Sequence, residues 1–343
     1  MSKKNIIPIF IPFQGCPHLC VYCNQNRITG NEETLSLDGI RQRIEEQISY
    51  FKKDHPIEVA FYGGTFTMLP FSKQLEYFEG VQNYMEKGII DSIRFSTRPD
   101  AIRKNELVEL KKMGLKTVEL GIQSIDSTVR EASGRGGNIK IYEESIETIR
   151  QLELDLGLQQ MIGLPEDTFE KTMDTARWIK KMKADFVRIY PTLVIRDTEL
   201  EVMYKKGQYH PLFLEESVEW VAELLEFYSK HKISVIRVGL PPFEEESSFV
   251  AGPVHPQMRE WANSLRVYYR TRSVLEGNEI GNHLIIKGTQ KNINGLVGPN
   301  KIGKKKIEDA FNVRVQFVNT KNPEKFLIDT GKETLEVSMK DFR

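Results

Sequence analysis

The three cysteines of this chain lie within eight consecutive residues near its amino terminus. Cys16, Cys20 and Cys23 have the spacing C-x3-C-x2-C, and the 343 residues contain no other cysteine. An odd number of thiols in one short segment does not fit the disulfide framework of a secreted protein. Because thiolates are ligands of soft metals, the cluster of cysteines indicates a metal centre.

Two kinds of metal centre fit three clustered thiolates. An iron–sulfur cluster usually takes four thiolates, so a cluster held by these three cysteines leaves one iron open. That iron could bind the amino and carboxylate groups of S-adenosylmethionine (SAM). The alternative is a zinc ion with His18 as the fourth ligand. Structural zinc sites favour paired C-x2-C units, and His18 lies only two residues from Cys16, so the open cluster is the favoured interpretation.

The cysteine segment resembles the signature of the radical SAM superfamily. It reads Cys16-Pro-His-Leu-Cys20-Val-Tyr22-Cys23. The resemblance implies that the cysteines hold a [4Fe–4S] cluster and that Tyr22 packs near the adenine of SAM. It also implies reductive cleavage of SAM to methionine and a 5′-deoxyadenosyl radical, with an electron donor such as flavodoxin or ferredoxin.

Polar motifs follow the other predicted strands. Tyr62-Gly63-Gly64-Thr65 ends the second predicted strand, and its glycines let the backbone approach a ligand closely. By resemblance, Gly63, Gly64 and Thr65 bind the methionyl end of SAM. Parallel α/β folds bind ligands at the carboxyl ends of their strands. The further candidate cofactor-binding residues lie at or just beyond such ends: Ser96, Arg98, Glu119, Gln123, Arg135 and Gln159.

The order of these motifs resembles one branch of the superfamily, which contains oxygen-independent coproporphyrinogen oxidase and the Elongator catalytic subunit. In that branch, the residues that match Gln123 and Arg135 contact the cofactor. The porphyrin enzymes carry a glutamate at the position of Ser96 and an aspartate near that of Gln159. These two departures favour the Elongator-like form.

Apolar periodicity predicts the elements that position these residues. Runs of period two alternate with amphipathic runs, as in βα units on a parallel sheet. About six units predict an α/β fold, a partial (β/α)6 TIM-like barrel. The predicted strands are 6–13, 57–62, 93–97, 117–122, 158–164 and 186–190, with a seventh candidate at 233–238. The predicted helices include 73–86, 105–113, 215–231 and one with the stripe Ile40, Ile44, Ile48 and Phe51.

Dense proline and glycine punctuation between residues 240 and 278 interrupts this pattern. The sequence therefore predicts a barrel domain over 1–250, a linker or extension over 251–277 and a small basic α+β domain over 278–343. The resemblance to the Elongator-like branch covers about residues 5–260, and nothing after Gly252 resembles an acetyl-coenzyme A fold. Donation of an acetyl group by this chain alone is therefore not expected.

The carboxyl-terminal segment resembles a KH module, in which a GXXG loop between two helices clamps a nucleic-acid backbone. Here the loop reads Gly298-Pro-Asn-Lys301 and lacks the second glycine, while Lys304 and Lys305 add positive charge. The alternative is a solvated lysine face on a helix. The candidate nucleic-acid contacts are Gly298, Lys301, Lys304 and Lys305.

The overall charge does not identify a partner, because 48 basic residues balance 48 acidic ones. No stretch predicts a signal peptide or a membrane span, so a cytoplasmic protein without a membrane partner is expected. The favoured function is a radical SAM enzyme that acts on RNA, specifically transfer RNA. The alternatives are the same chemistry on a small molecule or tetrapyrrole, and a non-catalytic protein that binds zinc and RNA. The sequence does not indicate an oligomeric state.

Overall fold

The computed structural model describes residues 4–11, 16, 20–24, 36–51, 55–240 and 248–339. The chain forms two compact units. The first comprises Met1–Leu212 and Ile233–Pro253, and the second comprises Phe213–Lys232 and Val254–Arg343. Most of the segment 251–277, where the sequence suggests a linker or extension, belongs to the second unit and forms a helix.

Seven parallel strands form the main sheet of the first unit. Their order is β1-β2-β3-β4-β5-β6-β8, and the described residues show no pairing between β8 and β1, so the sheet is an open, curled half-barrel. The predicted partial barrel is thus confirmed. The strands are β1 (Asn5–Ile11), β2 (Ile57–Gly63), β3 (Ser92–Thr97), β4 (Leu115–Gln123), β5 (Asp155–Ile162), β6 (Phe186–Pro191) and β8 (Ser234–Val238). Two short strands, β7 (Val194–Ile195) and β9 (Phe249–Ala251), pair separately.

Seven helices of the first unit connect the described strands. Side-chain caps define several of their starts. The Ser36 hydroxyl accepts a hydrogen bond from Gly39 N at 3.1 Å at the first helix, an interaction worth ~1 kcal/mol. No described helix is long and apolar enough to cross a membrane. The helices are α1 (Leu37–Ile48), α2 (Phe71–Glu86), α3 (Lys104–Lys112), α4 (Ser127–Ala132), α5 (Ile139–Gln151), α6 (Phe169–Lys181) and α7 (Glu199–Lys205).

The observed strands agree with the predicted periodicity. Every predicted strand from residue 57 onward is present, with ends shifted by at most three residues. The candidate strand 233–238 pairs with β6 and completes the sheet. The first predicted strand, 6–13, is observed as Asn5–Ile11, and positions 12 and 13 lie outside the described residues. Ile40 and Ile44 of the predicted apolar stripe are fully buried on α1.

An aromatic cluster fixes the turn that follows β2. Phe66, in this turn, stacks on Phe95 of β3 with ring centroids 4.7 Å apart and on Phe61 of β2 at 5.3 Å. Phe78 of α2 lies 5.9 Å from the rings of both Phe61 and Phe66. Burying each phenyl ring contributes about 1.5–3 kcal/mol, so the turn next to the glycine pair is firmly packed.

The second unit is a small α+β structure, as predicted. Its sheet has the order β11-β10-β12-β13, and the parallel pair β10–β11 is connected by two helices. Along the chain, a strand, two helices and a strand follow one another, and the hairpin β12–β13 comes after them. Its elements are α8 (Leu214–Lys230), α9 (Met258–Leu275), β10 (His283–Gly288), α10 (Gln290–Val297), α11 (Ile302–Phe311), β11 (Arg314–Asn319), β12 (Lys325–Asp329) and β13 (Thr334–Ser338).

Candidate active site

A cavity of about 550 Å³ opens at the carboxyl end of the parallel sheet in the first unit. This volume lies within the range of sites for small molecules and cofactors. The cysteines after β1 and residues from the ends of β2 to β6 and β8 line it. All three cysteines and every predicted cofactor-binding residue except Glu119 line this one cavity. Residues spread over 144 positions of sequence are thereby brought together, from Cys16 to Gln159.

The cysteine segment is attached to the barrel by backbone hydrogen bonds on both sides. Val21 N donates to Ser133 O at 3.1 Å, and Leu200 N of α7 donates to Val21 O at 2.7 Å. Cys23 N donates to Cys20 O at 2.9 Å, which closes a turn between two of the thiols. These contacts hold Cys20 and Cys23 at the cavity wall.

The glycine turn after β2 approaches β1 so closely that a side chain would not fit. Gly63 has a φ of +107°, and a Cβ at this position would lie 2.7 Å from Ile11 O. Gly64 N donates to the same carbonyl at 2.7 Å. The next residue, Thr65, is buried and places its hydroxyl 3.2 Å from Cys16 Sγ. The turn therefore connects the glycine motif directly to the first cysteine.

Arg98 lies at the cavity wall just beyond β3. Its Nε and Nη2 atoms donate to the two carboxylate oxygens of Asp100 at 2.9 and 2.7 Å. Burial raises the pKa of Asp100, but this bidentate pair outweighs burial and holds the pKa below its usual value. Ser96, the preceding inward residue of β3, lines the same cavity.

Gln123 shows the backbone strain typical of functional positions. It ends β4 with a φ of +65°, a conformation that is unfavourable for a residue with a side chain. Its Oε1 atom is buried and has no hydrogen-bond partner among the described residues. A buried, unsatisfied amide oxygen facing a cavity is a position for a ligand donor.

Arg135 lies beside the cysteines. Its Nη1 atom is 3.6 Å from Cys20 Sγ, and its Nη2 atom donates to Gly121 O. Burial lowers the pKa of the Arg135 guanidinium, but the interactions with Tyr22 and Cys20 raise this pKa by more than burial lowers it. The guanidinium therefore stays charged. Its Nε atom is buried without a described partner.

Glu119 lies behind the cavity wall and does not line it. Its carboxylate is fully buried and pairs with Arg94 Nη1 at 2.9 Å and Arg188 Nε at 2.7 Å. Tyr62 OH donates to it at 3.0 Å and Gln159 Nε2 at 3.2 Å. Burial raises the pKa of Glu119, but the two guanidinium groups outweigh it and lower the pKa. Glu119 therefore orients three lining residues from behind: Tyr62, Gln159 and Arg188.

Sequence analysis missed Arg188, Tyr190 and Arg237, which line the cavity from β6 and β8. A feature of the sequence could have identified the two arginines. Each arginine interrupts an otherwise apolar strand, in Phe-Val-Arg-Ile-Tyr and Ser-Val-Ile-Arg-Val. A charged residue within such a strand requires a buried partner or a polar cavity.

The cavity residues fit a SAM molecule next to an iron–sulfur cluster. Tyr22 OH, Gln123 Oε1 and Arg135 Nε are buried polar atoms without described partners, as expected where a polar cofactor completes the hydrogen bonds. No set of three or more His, Cys, Asp or Glu side chains in the described part of the chain is arranged to hold a single metal ion. His18, the fourth ligand of the zinc alternative, lies outside the described residues.

The predicted nucleic-acid residues lie in the second unit, in the loop between α10 and α11 and in the first turn of α11. Gly298 has a φ of +64°, and a Cβ there would collide with Ser264 Oγ. Lys301 and Lys305 are exposed, whereas Lys304 is partly buried and lies 3.6 Å from Glu308. The loop thus presents Lys301 to solvent and the first turn of α11 presents Lys305, and the role of these residues in binding stays a prediction.

An open parallel barrel with a cysteine-lined cavity at its carboxyl end is the architecture of a cofactor-dependent enzyme domain. The chain belongs to the radical SAM superfamily of enzymes. Residues 10–179 match the model of that superfamily, and residues 184–266 match the radical SAM C-terminal domain. The family resemblance seen in the cysteine segment and the strand-end motifs is therefore confirmed.

The chain is similar to several archaeal proteins. An uncharacterized protein of Methanocaldococcus jannaschii is 27% identical over 66% of this chain and 72% of its own length. The tRNA uridine(34) acetyltransferase of the same organism is 24% identical over 65% of this chain and 48% of its own length. The solved Elp3 of Methanocaldococcus infernus, with an amino-terminal deletion, has a TM-score of 0.58. It is 22% identical over 80% of this chain and 64% of its own chain. This chain thus spans about half the length of the acetyltransferase.

Proposed function

We propose that this chain cleaves SAM reductively at a [4Fe–4S] cluster held by Cys16, Cys20 and Cys23. The observation that carries the proposal is the single cavity that contains the three thiols, the glycine turn and the polar residues with unsatisfied atoms. When bound, the cluster and SAM supply one-electron chemistry that ends in a 5′-deoxyadenosyl radical. Flavodoxin or ferredoxin is the proposed class of electron donor.

The protein contributes positioning and charge. The turn at Gly63 and Gly64 lets the backbone approach the amino acid end of SAM closely, and Gln123 donates or accepts through its amide. Arg135 places a permanent positive charge beside Cys20. Glu119 holds Arg188 and Tyr62 from behind, so the far wall of the cavity is preorganised before substrate enters.

The test is anaerobic reconstitution of the full chain with iron and sulfide. We expect about four iron atoms and four sulfides per chain, and an electron paramagnetic resonance (EPR) spectrum of the reduced protein that changes when SAM is added. Cys20→Ser should lose most of the iron. A colourless protein that retains zinc would contradict the proposal and support the zinc alternative.

The proposed substrate is RNA, specifically transfer RNA in the cytoplasm. Two observations support it. One relative is named a tRNA uridine(34) acetyltransferase. The second unit presents Lys301 from the loop between two helices and Lys305 from the first turn of the following helix. Exposed lysines at such a position are suited to phosphate contacts.

Filter binding of transfer RNA across a range of salt concentrations tests this substrate. We expect the affinity to fall steeply with salt, and we expect the slope of log K against log salt to lose roughly one unit per lysine removed. Lys301→Ala and Lys305→Ala should each show this loss, whereas Lys332→Ala, an exposed lysine outside the loop, should not. Binding without a salt slope, or no binding, counts against RNA and for a small molecule or tetrapyrrole.

A further inference from the structure

The wall of the cavity formed by β6 and β8 carries two arginines on neighbouring strands. Arg188 and Arg237 are register partners in this parallel pair, and both line the cavity. Like charges placed opposite each other on adjacent strands repel and are destabilising unless they are compensated. The positive charge of Arg188 is compensated by a carboxylate and that of Arg237 is not. This difference between the two arginines points to a ligand.

Arg188 is compensated within the protein. Its Nε and Nη2 atoms bind the Glu119 carboxylate at 2.7 and 3.0 Å, and Nη2 also donates to Tyr62 OH at 2.6 Å. The side chain is 9% exposed. Its charge is thus matched by a buried carboxylate.

Arg237 has no such match. Its Nε atom donates to Gly239 O at 3.0 Å, and no carboxylate pairs with its guanidinium in the described part of the chain. The side chain is only partly buried and faces a cavity whose described lining contains no aspartate or glutamate. A guanidinium that faces a cavity without a counter-charge is a site for an anion.

A bulge in β8 creates this arrangement. Val187 pairs with Val235, but Arg188 pairs with Arg237, so Ile236 is the extra residue in the strand. Without the bulge, Ile236 would stand opposite Arg188. Instead Ile236 is exposed and Arg237 lines the cavity. Bulges near active sites redirect individual side chains in this way.

The anion belongs to a substrate that enters beside SAM. β8 is the edge strand opposite β1, so Arg237 lies five strands away in the sheet from the glycine turn of β2, where the amino acid end of SAM is proposed to bind. Tyr190, two residues after Arg188, also lines this cavity and is aromatic. A guanidinium next to an aromatic ring suits a nucleotide, whose phosphate takes the charge while its base stacks.

We propose that Arg237 binds a phosphate group of the nucleotide that undergoes the radical reaction, next to Arg188 and Tyr190. This assignment rests on the RNA substrate proposed above and adds the contact that would hold one nucleotide in the barrel. It also gives the bulge in β8 a function.

The test measures binding of uridine 5′-monophosphate and of uridine to the reconstituted full chain by calorimetry. Saturating SAM, added without reductant, occupies the cofactor site and is not cleaved. A pyrimidine probe is used because it does not resemble the adenine of SAM. We expect the nucleotide to bind roughly tenfold more tightly than the nucleoside, because a charge-assisted contact contributes ~1.5 kcal/mol. In Arg237→Gln the two affinities should become equal, and Arg237→Lys should retain part of the difference. Arg177→Gln, an exposed arginine on α6, is the matched control.

Four outcomes would overturn the assignment. The first is a wild-type affinity ratio near one. The second is an unchanged affinity ratio in Arg237→Gln with an unaltered thermal unfolding midpoint. The third is loss of SAM affinity in this variant, which would assign Arg237 to the cofactor carboxylate. The fourth is binding of coproporphyrin, through Arg237, in place of the nucleotide. Binding of transfer RNA distinguishes failure of this assignment from failure of the proposed RNA substrate. If transfer RNA does not bind the wild-type chain, the proposed substrate is wrong. If transfer RNA binds but the affinity ratio is the same in wild type and Arg237→Gln, only the assignment of Arg237 is wrong.

Discussion

Arg135 Nη1 lies 3.6 Å from Cys20 Sγ, although the two residues are 115 positions apart in the chain. The turn after α4 places the guanidinium there, and its bond to Gly121 O holds it against the end of β4. A permanent charge next to a thiolate stabilises the negative form of any centre that this thiolate binds. Arg135 is therefore expected to set the electrostatics of the cluster as well as to contact the cofactor.

Removing the charge of Arg135 should make the cluster harder to reduce. In Arg135→Gln we expect the midpoint potential to become more negative by roughly 60 mV, equivalent to a tenfold change for one electron. An EPR-monitored redox titration measures this shift. Arg177→Gln changes an exposed arginine on α6 that does not line the cavity, so it should leave the potential unchanged. An equal midpoint potential in the wild type, Arg135→Gln and Arg177→Gln would show that Arg135 only binds the cofactor or packs against its neighbours.

A side chain at Gly63 should destabilise the barrel. Gly63→Ala has both an unfavourable φ and a contact of 2.7 Å between the new Cβ and Ile11 O. We expect a loss of more than about 2 kcal/mol in the free energy of unfolding. Gly207→Ala is the matched control, because Gly207 also has a positive φ of +69° but no atom within 4 Å; about 1 kcal/mol is expected there. Urea denaturation compares the two, and equal losses would contradict the close approach of β1 and β2.

Neutralising Glu119 should weaken the fold and the far wall of the cavity together. Glu119→Gln leaves Arg94 and Arg188 facing a buried neutral amide, and we expect a loss of about 3–5 kcal/mol in the free energy of unfolding. Glu109→Gln, which removes one partner of an exposed pair with Lys112, should change it by less than about 0.5 kcal/mol. Similar values for the two variants would mean that Glu119 is not the centre of a buried ion network.

Asp167 should give stability an unusual pH dependence. Burial raises the pKa of this carboxyl to about 6, although Thr172 and the N–H groups of Gly163 and Thr168 hydrogen-bond to it. A raised folded-state pKa means that the protonated form is preferred in the native protein. Its contribution to stability is therefore present below the unfolded pKa near 4 and is lost as pH rises through 6.

The Asp167→Asn variant isolates this effect. The free energy of unfolding of the variant minus that of the wild type should rise by ~1–3 kcal/mol between pH 4 and pH 6 and then level off. Chemical denaturation at half-unit pH steps measures the difference. A difference that is flat, or that falls over this interval, would contradict the raised pKa.

Much of the fold could be predicted from the sequence because its elements follow simple periodicities. Strands such as Phe186–Pro191 are apolar runs bounded by turns, and helix α1 follows a serine cap with isoleucines spaced four apart. The grouping of α8 with the carboxyl-terminal unit could not be predicted in this way. It depends on packing between segments distant in sequence, which periodicity does not report.

In the candidate site too, residues whose place follows from the local sequence could be predicted, and residues placed by distant contacts could not. Residues at strand ends, such as Gln123 and Arg98, could be predicted because parallel strands share one ligand-binding edge. Glu119 could not be placed behind the wall, because its burial depends on pairing with Arg94 and Arg188 from other strands. The orientation of Arg237 depends on a bulge, and no residue pattern in β8 predicts this bulge.

Product analysis under reducing, oxygen-free conditions tests the central claim most directly. The reconstituted chain is incubated with SAM and dithionite, and 5′-deoxyadenosine and methionine are quantified by mass spectrometry. We predict equal amounts of the two products from the wild-type chain and none above background from Cys16→Ala, Cys20→Ala or Cys23→Ala. Absence of 5′-deoxyadenosine from a wild-type chain that carries a full complement of iron and sulfide would contradict the account.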